Sequence, residues 1–86
     1  MGNDQILKKL QIIYSEEIGV DPKEVTLYSD LREDLGVSDL ELASIFSRIE
    51  SVFDIMLPER EVRKALLSGE LTTISDIIEL IQEELE

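Results

Sequence analysis

The sequence predicts an all-α fold: a helical bundle of three main helices and one shorter third helix, with a long loop between the first two. Two observations carry this. Apolar residues recur at helical spacing in several stretches, and no segment alternates with period two for long enough to argue for a sheet. At 86 residues the chain suits a single domain spanning 1–86.

The elements follow in order. Ile6, Leu7, Leu10, Ile13, Tyr14 and Ile18 share one face and predict a first helix over roughly 4–18, with Asn3 or Asp4 as its cap. Gly19 just past the end, followed by Val20, suits a glycine-terminated helix. Residues 20–37 hold no sustained period, and Asp21-Pro22 marks a turn. Val25, Leu27, Leu31 and Leu35 are spaced as anchors, so this stretch reads as a strap pinned across the helices. A second helix over roughly 39–53 presents Leu42, Ala43, Ile45, Phe46, Ile49, Val52 and Phe53 as an apolar arc. Ser44, Ser47, Arg48 and Ser51 fall opposite, and Leu40 falls among those polar positions, where it should be exposed. Pro58 suits the first position of a third helix whose inward residues are Val62, Ala65 and Leu66, ending at Gly69. Thr72 or Thr73 can cap a fourth helix, with Ile74, Ile77, Ile78, Ile81 and Leu85 as its buried stripe.

Composition narrows the function. The chain has no cysteine and no histidine, which removes thiol nucleophiles, thiolate metal sites, the commonest general base and the commonest zinc ligand. A non-catalytic protein is therefore expected, with no catalytic residue and no metal ligand assigned. Asp30, Glu33 and Asp34 lack the ligand spacing of an EF-hand and read as solvated charge. A net charge of −12 disfavours nucleic acid and anionic membrane surfaces as partners. No apolar run approaches the ~20 residues that cross a bilayer, so membrane insertion is not expected. Met1 to Gln5 lacks a charged-then-apolar signal pattern, and a cytoplasmic monomer is the expectation.

The motifs are more specific. Glu33-Asp34-Leu35-Gly36-Val37-Ser38-Asp39-Leu40 resembles the Asp-Leu-Gly-x-Asp-Ser-Leu stretch of the acyl carrier protein family. Glu17-Ile18-Gly19-Val20 with Glu24-Val25-Thr26, Phe53-Asp54-Ile55-Met56-Leu57-Pro58-Glu59, and Thr72-Thr73-Ile74 are similar to further family segments, in the family's order. The resemblance covers nearly the whole chain. It implies an acyl-carrier-like bundle that would tether an acyl intermediate as a thioester on a 4′-phosphopantetheine arm. Implied partners are a phosphopantetheinyl transferase and acyl-transferring or synthase enzymes, in fatty-acid or lipid biosynthesis.

The spacing from Asp34-Leu35-Gly36 to Phe53-Asp54 fits the family without gaps, which puts Asp39 at the family's serine position and Ser38 at the aspartate before it. A carboxylate cannot take the arm through a phosphodiester, so Ser38 is the candidate attachment residue. Ser38-Asp39-Leu40-Glu41 also matches a capping box, which alone would account for the serine. Two readings stay open: a carrier with its arm at Ser38, or an interaction module on the carrier fold that lacks the arm and acts as scaffold, regulator or decoy. Leu40, Glu41, Ser44, Ser47 and Arg48 are the candidate partner contacts, a more neutral set than the acidic second helix usual in the family. Ala65 to Glu70 reads as an insertion that lengthens the third helix or its exit.

Overall fold

The computed structural model describes residues 2–85. Four α-helices appear: α1 Asn3–Ile18, α2 Asp39–Phe53, α3 Glu59–Ser68 and α4 Ile74–Leu85. A single 3₁₀ turn, Pro22–Glu24, lies in the α1–α2 connection. α1 is the hub and packs against α2, the 3₁₀ turn and α4. Its core stripe, Ile6, Leu10, Ile13 and Tyr14, is fully buried. The helix ends at Gly19 with φ of 72°, a left-handed conformation that glycine adopts without steric cost.

The expected side-chain cap of α1 is not made. Asn3 and Asp4 lie inside the helix, and Gly2 is the capping residue, its carbonyl accepting from the Ile6 N–H at 3.1 Å. The Asn3 side chain is turned instead toward Gln82 of α4, whose amide donates to it.

The 20–37 strap is ordered by side chains that stand in for secondary structure. Val25, Leu31, Leu35 and Val37 are buried, and Leu27 is half-buried. The buried Ser29 hydroxyl donates to the Glu24 carbonyl at 2.8 Å and accepts from the Thr26 N–H at 2.9 Å, which folds the strap on itself. Gln11 of α1 donates to the Val25 carbonyl at 3.0 Å. The strap also serves α4: Leu27 and Ser29 carbonyls accept from the N–H groups of Ser75 and Ile74, which have no partner inside their own helix. Thr72 returns a carbonyl to the Leu31 N–H at 2.9 Å, and Asp30 and Thr73 form an isolated antiparallel bridge.

α2 begins and ends where the periodicity places it. Its buried face is narrower than expected. Leu42, Ile45, Phe46, Ile49 and Phe53 are buried, whereas Ala43 and Val52 are exposed because they lie at the edges of the arc. Pro58 is the capping residue of α3, one place before the first helical position, and its carbonyl accepts from the Val62 N–H. At 10 residues α3 is the shortest α-helix, and Val62 is its one buried residue, with Ala65 and Leu66 half-buried. Thr73 caps α4: its hydroxyl accepts from the Asp76 N–H while the Asp76 carboxylate accepts from the N–H groups of Thr72 and Thr73. The α4 stripe stops at Ile81; Leu85, the last residue of α4, is 39% exposed.

Candidate functional site

Gly36, with φ of 62°, turns the strap upward after Leu35 has anchored it. Val37 is then buried, and the chain enters α2 with Ser38 as the capping residue and Asp39 as the first helical residue. The capping box is complete. The Ser38 hydroxyl accepts from the Glu41 N–H at 3.2 Å and donates to Glu41 Oε1 at 2.9 Å, while the Ser38 N–H donates to the same oxygen at 3.1 Å. Ser38 is exposed in spite of these bonds. The Asp39 side chain is 95% exposed, with the Arg32 guanidinium 3.8 Å away. A pair so exposed contributes little to stability.

Beside this helix start, α2 and α3 enclose a groove of about 520 Å³. Its floor is Leu42, Phe46, Leu57, Val62 and Leu66; Arg32 and Asp39 stand at one end, and Glu59, Arg63 and Leu67 on the α3 side. Leu57 reaches the floor because its N–H is held by the Glu50 carboxylate at 3.0 Å. α3 carries three cations, Arg60, Arg63 and Lys64, of which Arg63 alone is ion-paired among the described residues, to Glu59 at 3.2 Å.

The candidate partner contacts divide. Leu40 is 83% exposed and Ser47 is exposed on the groove wall. Glu41 is committed to the capping box. Ser44 and Arg48 turn toward α1: the Ser44 hydroxyl donates to Glu17 at 3.0 Å, and Arg48 reaches Glu16 at 2.9 Å and Glu17 at 3.4 Å. The hydrogen bond that Arg48 donates to Glu16, helped by the one to Glu17, raises the guanidinium above its ordinary pKa. Arg48 thus acts as an α1–α2 tie, a role its position among polar residues did not reveal. The sequence signal for it was the Glu16-Glu17 pair at the end of α1, which needs a cation from a neighbouring helix.

The acidic loop cluster is braced internally. Asp30 accepts from the N–H groups of Arg32 and Glu33, both at 2.8 Å, and the Glu33 bond foremost lowers its pKa. Asp34 accepts from the Asp30 N–H. Among the described residues no group of three or more His, Cys, Asp or Glu could hold a metal ion.

A phosphodiester-linked group needs an accessible hydroxyl and tolerates a helix N-terminus well, because the helix dipole and unsatisfied N–H groups favour an anion there. Ser38 supplies both features, so the residues fit such a group; Asp39 has no hydroxyl to offer.

The family model described as "Phosphopantetheine attachment site" matches residues 8–81. The chain is 31% identical over 83 residues to an acyl carrier protein of Rubrobacter xylanophilus, covering 96% of this chain and 95% of that one. It is 30% identical over 84 residues to an acyl carrier protein of Thermotoga maritima, covering 98% and 96%. A third, from Borrelia garinii, is 30% identical over 82 residues, with 95% of each chain covered. The prosthetic group these similarities support is 4′-phosphopantetheine, and proteins of this kind are non-catalytic carriers, usually in lipid biosynthesis. No described helix is long and apolar enough to cross a membrane. The match runs through all four helices and the strap that positions Ser38, and on it the chain belongs to the acyl carrier, phosphopantetheine-attachment family.

Proposed function

We propose that the chain, acting as one monomeric domain, holds a 4′-phosphopantetheine arm at Ser38 and delivers the acyl group it carries to partner enzymes. The observation that carries this is an exposed hydroxyl at the α2 N-terminus, next to the end of the groove marked by Arg32 and Asp39. The arm's terminal thiol would supply the thioester link. Ser38 would hold the phosphate against the positive end of α2. Leu42, Phe46, Leu57 and Val62 would shield an apolar chain from water. Exposed Leu40 at the start of α2, and Ser47 on the groove wall, would meet the transferase that installs the arm and the enzymes that use it. Tethering acts by raising the effective concentration of the carried group at the partner.

A second reading rests on a specific observation. The Ser38 hydroxyl is already both donor and acceptor within the capping box, and the residue in the family's serine register is Asp39. On that reading the chain is an arm-free module that occupies carrier-binding enzymes. Intact mass after incubation with coenzyme A and a promiscuous phosphopantetheinyl transferase decides. Wild type should gain the arm and Ser38→Asn should not. If wild type gains nothing while Asp39→Ser does, the arm-free reading replaces the first.

A further inference from the structure

Eight residues of the chain are cationic, and two of them, Arg32 and Arg63, line the α2–α3 groove. They are differently occupied. Arg63 donates to Glu59, one turn back on its own helix. Arg32 comes from the strap and reaches across to the first residue of α2, where its Nη2 lies 3.8 Å from Asp39 Oδ1. That is too long for a hydrogen bond. Among the described residues the Arg32 guanidinium donates no hydrogen bond, so its planar fork of N–H groups is unused there. The backbone beneath it is fixed. The Arg32 N–H donates to Asp30 at 2.8 Å, its carbonyl accepts from Gly36 at 3.1 Å, and the adjoining Leu31 is buried with its N–H bonded to the Thr72 carbonyl. Stability does not account for this placement, because the Arg32 and Asp39 side chains are 54% and 95% exposed and such a pair contributes little.

We infer that Arg32 is a positioning residue for the phosphodiester of an arm at Ser38, an inference that rests on Ser38 being the attachment residue. Ser38 immediately precedes Asp39, so a phosphate joined to its hydroxyl adds an anion to a helix start that already bears Asp39 and Glu41. The positive end of α2 offsets part of that repulsion. Arg32 offsets more of it. The guanidinium stands at the same end of the groove as Asp39, and its fork of donors matches a pair of phosphate oxygens. Asp39 then has a use that its lack of a hydroxyl does not remove: it keeps the Arg32 side chain at the start of α2 while the chain is unloaded. Because Arg32 also lines the groove, a phosphate held by it directs the rest of the arm towards Leu42 and Phe46 rather than into solvent.

The test uses the full chain loaded from coenzyme A by a promiscuous phosphopantetheinyl transferase, with loading confirmed by intact mass. Phosphorus NMR reads the phosphodiester directly, and the same loaded chain unfolded in urea gives the position of an unrestrained phosphate. In the folded wild type the resonance should stand away from that position. Arg32→Gln should move it at least halfway back, and Arg32→Lys, which keeps the charge but not the fork, should fall between the two. Arg63→Gln removes the other groove cation and should leave the resonance where wild type has it. In the unloaded chain Arg32→Gln should leave the urea midpoint unchanged, which separates positioning from folding. Coincident resonances for wild type and Arg32→Gln would overturn the inference, as would an equal displacement in Arg63→Gln. A wild-type chain that gains no arm mass removes the attachment reading itself and this inference with it. A loaded chain whose phosphate is indifferent to Arg32 removes this inference alone.

Discussion

Ser38→Ala isolates the capping role from any other. Of the three hydrogen bonds in the capping box, the substitution removes the two made by the hydroxyl and leaves the Ser38 N–H bonded to Glu41. The site is exposed, so the Glu41 N–H regains water and the loss stays near the usual cost of a cap, ~1 kcal/mol. For a domain of this size that lowers the Tm by roughly 4–8 °C. Ser38→Asn keeps an acceptor for the Glu41 N–H and a donor for its carboxylate, so it should stay within a few tenths of a kcal/mol of wild type, on the order expected for exchanges among good caps. Glu41→Ala breaks the reciprocal half, and the Ser38→Ala/Glu41→Ala pair should lose less than the sum of the singles because the bonds are shared. Urea unfolding followed by far-UV circular dichroism measures all four variants, and an unchanged m-value certifies that the midpoint reports stability. A Ser38→Ala loss below about 0.5 kcal/mol, the scatter of ordinary surface changes, together with strict additivity in the pair, would refute the capping box as a stabilising unit.

Tyr14 is fully buried on α1, and its hydroxyl has no hydrogen-bond partner among the described residues. Tyr14→Phe removes a desolvated polar atom and should raise stability by about 1 kcal/mol; a loss of that size in urea titrations would show that the hydroxyl has a partner in solution. Burial raises the Tyr14 pKa well above 10, so the folded state favours the neutral phenol. Stability tied to this group is complete below pH 10 and falls as pH rises beyond it, and Tyr14→Phe should delay alkaline unfolding. Arg48→Glu sets a third carboxylate against Glu16 and Glu17 and should lower the urea midpoint more than Arg48→Gln does. The gap between the two should narrow in high salt; equal midpoints at low salt would mean that Arg48 does not tie α1 to α2.

The helices were legible because burial follows period: Ile6, Leu10 and Tyr14, at four-residue spacing on α1, are fully buried, and the next position, Ile18 at the helix end, is half-buried. What failed were the ends. Asn3 was a sound candidate cap, but Gln82, close in space and far in sequence, claims its side chain. Leu85 continues the α4 stripe in sequence, yet it is 39% exposed. The strap was legible only as anchors. Its order comes from Ser29 and Asp30 bonding to nearby backbone, and from carbonyls that meet the start of α4, and polar residues in a loop do not announce such partners.

The site was legible as a register problem, and the fold explains why the register holds. Sliding α2 by one residue, so that Ser38 took the first helical position, would rotate its side chains by about 100°. Leu42, Ile45, Phe46, Ile49 and Phe53 would leave the core. Burying each is worth roughly 1.5–3 kcal/mol, so the shift would forfeit on the order of 10 kcal/mol. That equals the whole stability of a typical domain, about 5–15 kcal/mol. Asp39 is therefore held as the first helical residue and Ser38 as the cap. Any arm at Ser38 must leave from the capping position, where its linking oxygen keeps the Glu41 N–H as a donor but no longer donates to the Glu41 carboxylate. Glu41 must then rotate away from the new phosphate. Its freedom to do so, at an exposed helix start, is what makes attachment at the cap compatible with an intact α2.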